Sequence, residues 1–86
     1  MNSYVLEIVI ENKPTARDPE GETILKDLIN QNGFEMVKNV RSGKFLRVNL
    51  EAESKEEAKN IVYKMCNDLR IFNPVIHVVT INVKDY

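Results

Sequence analysis

The residues able to do chemistry in this chain are few. Cys66 is the only cysteine and His77 the only histidine among 86 residues. Nucleophilic catalysis by cysteine needs a thiolate held beside a base. Cys66 instead shares helical spacing with Ala58, Ile61, Val62, Met65 and Leu69, where burial raises a thiol pKa and packing is the expected role. A metal centre on His77 would need carboxylates or Cys66 to complete it, and no close-spaced ligand motif is present. Glu51, Glu53, Glu56 and Glu57 make an acidic cluster. The last two open a helix, whose dipole favours negative charge, so the cluster reads as a solvated helix start. There is no P-loop, GxGxxG, nucleophile elbow or CxxC, and 3 glycines cannot build a phosphate cradle. A self-sufficient enzyme is not expected.

The remaining charge feature is cationic. Lys38, Arg41, Lys44 and Arg47 are spread over an expected hairpin with Ser42-Gly43 at its tip. Such a ribbon can meet a phosphate or an acidic patch on a partner. Charged hairpins also protect edge strands from aggregation, and the residues alone leave both readings open. Gly43-Lys44-Phe45-Leu46-Arg47-Val48 lacks the aromatic pattern on which an RNA-recognition sheet stacks bases. Twelve Lys plus Arg against 13 Asp plus Glu give a net charge of -1, so neither nucleic acid nor an anionic membrane is an expected partner.

The elements that must position these residues follow from periodicity. Residues 4–11 alternate, with Tyr4, Leu6, Ile8 and Ile10 on one face and Val5, Glu7, Val9 and Glu11 on the other, as a half-buried strand requires. Asp18-Pro19-Glu20 is a helix start, with Asp18 as N-cap and Pro19 at the first helical position. Ile24, Leu25, Leu28 and Ile29 make one apolar stripe, and Asn32-Gly33 supplies a left-handed stop, so a helix is expected over 19–31. A second strand is expected over 34–41, turning at Ser42-Gly43 into a third over 45–51. Ser54-Lys55-Glu56-Glu57 is a capping box that begins a second helix, expected to run to Asn73-Pro74. Residues 75–83, rich in β-branched side chains, close the sheet as a fourth strand.

The order β-α-β-β-α-β predicts an α+β, ferredoxin-like two-layer sandwich: a four-stranded antiparallel sheet with two helices on one face. Leu6, Ile8, Ile10, Leu46, Val48, Leu50, Val79, Ile81 and Val83 should face the helices. Val5, Val9, Phe45 and Val78 then lie among polar residues on an open face, as ordinary surface residues or as a docking surface. Residues 1–86 form one domain, and so short a chain buries only about 60–65% of its unfolded surface, which makes a partner natural. With one cysteine, no basic and apolar leader pattern at the start and no apolar run of membrane-spanning length, a cytoplasmic setting is expected.

Several motifs in a fixed order carry a resemblance. Lys13-Pro14, Asp18-Pro19-Glu20-Gly21, Val40-Arg41-Ser42-Gly43-Lys44-Phe45, Met65-Cys66 and Asn73-Pro74-Val75-Ile76 together resemble PurS, the small subunit of phosphoribosylformylglycinamidine synthase, over nearly the whole chain. The sequence departs from that pattern at Thr15, by one additional residue between Leu69 and Asn73, and at His77-Val78-Val79. The resemblance implies a non-catalytic subunit in the fourth step of de novo purine synthesis. It would bridge a glutaminase subunit, PurQ, and a synthetase subunit, PurL, and support ammonia transfer between them. It also implies a homodimer or higher homo-oligomer, with no cofactor on this chain and ATP and Mg used by the synthetase. The docking positions it implies are Arg41, Gly43 and Lys44, then Asp18, Pro19 and Gly21, and Asn73 and Pro74. An ACT-like domain binding small molecules at a dimer interface is the alternative with a related element order. A stand-alone hydrolase of the acylphosphatase type would need a glycine-rich loop, and residues 12–17 contain no glycine.

Overall fold

The computed structural model describes residues 2–84. Strand β1 (Asn2–Asn12) occupies the centre of an antiparallel sheet, between β2 (Gly43–Ala52) and β3 (His77–Lys84). The register sets Ile8 opposite both Leu46 and Ile81, and Leu6 opposite Val48 and Val83. Strand alternation therefore gathers these side chains on one face. Helix α2 (Lys55–Asp68) lies across that face and closes a core of Leu6, Ile8, Ile10, Ala52, Ala58, Val62, Cys66 and Phe72. Ser54 caps α2, its hydroxyl accepting from the Glu57 amide at 3.1 Å. The Glu57 carboxylate accepts from the amide of Glu53, not of Ser54.

Three strands form where the turn signal at Ser42-Gly43 predicts a fourth over residues 34–41. Residues 34–42 hold no strand, and side chains from outside the segment take up part of its backbone. The Asn30 side chain donates to the carbonyls of Phe34 and Val37, and the Phe34 and Val37 amides donate to the Ile29 and Phe34 carbonyls. Ser42-Gly43 is consequently the approach to β2 and no hairpin tip. The second correction concerns the helix end: α2 stops at Asp68, with Arg70 in the left-handed region at φ 56°, several residues before Asn73-Pro74.

The first helix also differs from expectation in where it goes. It begins as α1 (Pro19–Thr23), winds as a π-helix over Ile24–Ile29 and tightens to a 3-10 turn over Asn30–Asn32. Gly33, at φ 94°, ends it in the left-handed conformation that glycine adopts without steric cost. This arm does not lie beside α2; none of its residues packs on the core. Leu28 is 58% exposed, and beyond the arm Phe34 and Met36 are 56% and 67% exposed. The molecule measures 51 × 30 × 15 Å, with a radius of gyration of 16.4 Å. A compact chain of this length would have about 12 Å. Among the described residues no helix is long and apolar enough to cross a membrane.

Candidate functional site

The foot of the arm is built around one carboxylate. Asp18, only 4% exposed, caps α1 by accepting from the Gly21 amide at 3.2 Å. It also accepts from the amide of Ser42 at 2.5 Å and from the Ser42 hydroxyl at 2.7 Å. These Ser42 bonds are the main cause holding the Asp18 carboxyl below its ordinary range; the Gly21 amide and the charge of Arg41 add to them, against the opposing effect of burial. Pro19 fixes the first helical φ, and Gly21 is where two chain segments cross. A Cβ at Gly21 would run into the Val40 carbonyl oxygen and lie 2.6 Å from the Asp18 carboxylate.

Arg41 continues the same closure. Its Nη2 donates to the carbonyls of Asn12, Lys13 and Ala16 at 3.3, 3.1 and 3.1 Å, so the guanidinium gathers the loop that leaves β1. The side chain also lines an open cleft of about 470 Å³ with Glu11, Asn12, Pro14, Asn39 and Val78. Gly43 follows where β2 approaches β1; a Cβ there would lie 2.8 Å from the Ile10 carbonyl oxygen. Lys44, opposite Ile10 in register, is exposed on the sheet edge.

Asn73 and Pro74 organise the turn into β3. The Asn73 carbonyl accepts from the amides of Ile76 and His77, and its side-chain oxygen accepts from the Val75 amide at 3.0 Å. The Asn73 amide donates to His77 Nδ1 at 2.9 Å, which makes that ring nitrogen an acceptor and places the proton of a neutral ring on Nε2. A second open cleft of about 470 Å³ is lined by Asn67, Asp68, Arg70, Asn73, Pro74 and Val75. The Lys13 amide donates to the Ile76 carbonyl at 2.8 Å, which ties this turn to the loop that Arg41 grips. The structure thus brings Asp18, Pro19, Gly21, Arg41, Gly43 and Lys44 to one end of the sheet, with Asn73 and Pro74 beside them.

The four cations expected on a hairpin do not form one ribbon. Lys38 Nζ donates to the Glu35 carbonyl, and Arg41 turns onto the loop carbonyls. Arg47 lies on the open sheet face, paired with Glu7 at 3.0 Å and 5.3 Å above the Phe45 ring. Glu7 also meets Lys84 at 3.2 Å. The Arg47 hydrogen bond, helped by Lys84 and opposed by burial, lowers the Glu7 pKa.

Cys66 is buried in the core, which pushes its thiol up and away from nucleophilic use. Among the described residues no group of three or more His, Cys, Asp or Glu is placed to hold a metal ion. Ser42 and Asn12 also take part in the closure around Asp18 and Arg41, and no local sequence signal marks them as contacts. The Asp18-Ser42 pairing is non-local and carries no short-range signal, whereas the Asp18 cap does.

Comparison with known proteins places these features in a family. The profile described as "PurS: Phosphoribosylformylglycinamidine (FGAM) synthase" matches residues 5–85. The subunit PurS of this synthase from Archaeoglobus fulgidus is 43% identical over 72 residues, 84% of this chain and 88% of the relative. The PurS subunit of Thermotoga maritima is 40% identical over 76 residues, 88% of this chain and 90% of the relative. The crystal structure of the Thermotoga maritima purS subunit superposes with a TM-score of 0.85 at 35% identity, covering 96% of this chain and 93% of that one. A chain in the structure of PurLQS from the same organism superposes equally well, with a TM-score of 0.85 at 32% identity, covering 98% of this chain and all of the other.

Proposed function

This chain belongs to the PurS family and is a subunit of phosphoribosylformylglycinamidine (FGAM) synthase in purine biosynthesis; on that premise we propose that it works by assembly, as a homodimer bridging a PurQ-like glutaminase and a PurL-like synthetase. The observation that supports this most is the similarity, over the full length of the other chain, to a component of a structure described as PurLQS. The side chains agree with such a role. The one cysteine is buried, and the polar residues at the sheet end are engaged chiefly in holding loops. What such an end offers a larger protein is shape, with charge at its rim.

In this reading Asp18, Pro19 and Gly21 set the arm's angle, Gly43 sets the close approach of β2, and Asn73 and Pro74 shape the adjoining cleft. Arg41 and Lys44 face the partner subunits and set register. ATP and Mg are used by the synthetase partner, ammonia passes between the two larger subunits, and the complex works in the cytoplasm. The test is to mix purified chain with the two larger subunits and separate the mixture by size. Co-elution of all three, lost when this chain is omitted, is expected; a PurL–PurQ complex that forms equally well without it would refute the bridge.

A further inference from the structure

We propose that the cleft at the end of α2 binds a free α-amino acid with a carboxamide side chain, Arg70 receiving its carboxylate, Asp68 its ammonium group and Asn67 its amide. This goes beyond the bridging role and does not depend on it. Three observations carry it.

The first is the residue that ends the helix. The Ile71 amide donates to the Cys66 carbonyl at 2.9 Å, and the Arg70 amide donates to the Asn67 carbonyl at 3.4 Å. These two bonds make a Schellman motif, in which the residue at Arg70's position is left-handed and is usually glycine. Here it is arginine, at φ 56°. A cation at an exposed helix C-terminus gains from the dipole, but that gain is smaller than the cost of left-handed backbone in a residue with a Cβ. A cation inside the last turn would take the same gain at no such cost. Strained backbone kept beneath a long charged side chain points to what that side chain does.

The second is which polar groups stand together unspent. Asn67, Asp68, Arg70, Asn73, Pro74 and Val75 line one cleft of about 470 Å³, the size of a small-molecule site. Among the described residues the Arg70 guanidinium and the Asn67 side-chain amide have no protein partner. Asp68 gives one oxygen, Oδ2, to Lys64 at 3.1 Å and keeps Oδ1. A guanidinium fork takes a carboxylate in a bidentate pair, and a carboxylate oxygen takes an ammonium group. A carboxamide pairs with another carboxamide through one donated and one accepted bond. A carboxylate beside a single guanidinium repels a dianion, so a zwitterion suits the cleft better than a phosphate.

The third is that both walls are set without a ligand. The last turn of α2 forms one. On the other, the Asn73 carbonyl holds the amides of Ile76 and His77, its side-chain oxygen holds the Val75 amide, and Pro74 has its φ fixed by its ring. Preformed walls lower the ordering cost of binding. Val75, 75% exposed, offers apolar surface to a ligand's methylene groups. An open cleft of exposed groups gives a dissociation constant in the millimolar range.

The experiment titrates the full ¹⁵N-labelled chain with L-glutamine to tens of millimolar and follows the backbone amides by NMR, with acetate, methylammonium and inorganic phosphate as separate arms. Saturable shifts confined to residues 67–75 are expected from L-glutamine, with each of the other three binding at least tenfold more weakly. Arg70→Gly installs the residue the motif prefers, so it should keep or raise the thermal midpoint and weaken L-glutamine binding at least tenfold. Asp68→Asn, which leaves the left-handed residue in place, should weaken it at least threefold. No saturable shift in the native chain overturns the proposal, as does phosphate or acetate binding as tightly as L-glutamine. Undiminished affinity in either folded variant also overturns it.

Discussion

Asp18 and Ser42, 24 positions apart, are joined by two hydrogen bonds from the amide and hydroxyl of one residue to the carboxylate of the other. Because the same carboxylate caps α1, a single side chain fixes both the start of the arm and the approach to β2. The arm makes no packing contact with the sheet core, so its direction depends on this closure and on the grip of Arg41.

Acid should loosen that closure. The folded-state pKa of Asp18 is depressed, so its stabilisation is fully present above the ordinary carboxylate value of about 3.9 and is lost as pH falls through the lower folded value. Glu7 and Glu22, also depressed, add to the same loss. The thermal midpoint should fall steadily below about pH 4, and Asp18→Asn should lower it at pH 7 while flattening the acid limb. Unfolding scans from pH 2 to 8 decide this; a variant with the native pH profile would remove Asp18 from the account.

Gly21→Ala should be among the most damaging single-methyl additions. The new methyl would meet backbone at Val40 and the Asp18 carboxylate at once. Overpacking of this kind costs about 1–3 kcal/mol, readable by chemical denaturation. A change below about 0.5 kcal/mol, within the usual range of surface substitutions, would show that the crossing is looser than described.

Helix α2 offers an internal contrast. Val62 is fully buried and Ile61, its neighbour, is exposed. Val62→Ala should cost about 2–3 kcal/mol through lost burial and cavity formation. Ile61→Ala in the isolated protomer should stay below about 1 kcal/mol. Equal losses would mean that α2 is rotated from its described face.

Much of the fold was legible in the sequence, and the failures share a cause. Strict alternation in β1 and β2, the β-branched run of β3 and the Ser54 cap of α2 are local signals that no tertiary contact opposes. Ile61 and Leu69, by contrast, keep helical spacing with Cys66 yet remain exposed, because periodicity gives the stripe and not which part of it the sheet covers. Residues 34–42 look extended, but Asn30 and Asp18 capture their backbone from outside the segment, which a window of neighbours does not reveal. The docking positions follow from likeness to a family. The structure adds that Arg41, Asp18, Gly21 and Gly43 hold backbone segments together, and it places Lys44 at the exposed rim.

Lys44 is therefore the cleaner probe of docking. Lys44→Glu should change stability by no more than about 0.5 kcal/mol, as exposed substitutions do. It should also weaken co-elution with the two larger subunits, most visibly at low salt, where rim charges steer assembly. Undiminished co-elution of the folded variant would take Lys44 out of the interface.

The most direct measurement compares FGAM synthesis driven by glutamine with synthesis driven by added ammonia, using the two larger subunits with and without this chain. The chain should show no turnover alone and should raise the glutamine-driven rate strongly while altering the ammonia-driven rate little. A glutamine-driven rate that is the same in its absence would contradict the bridging role.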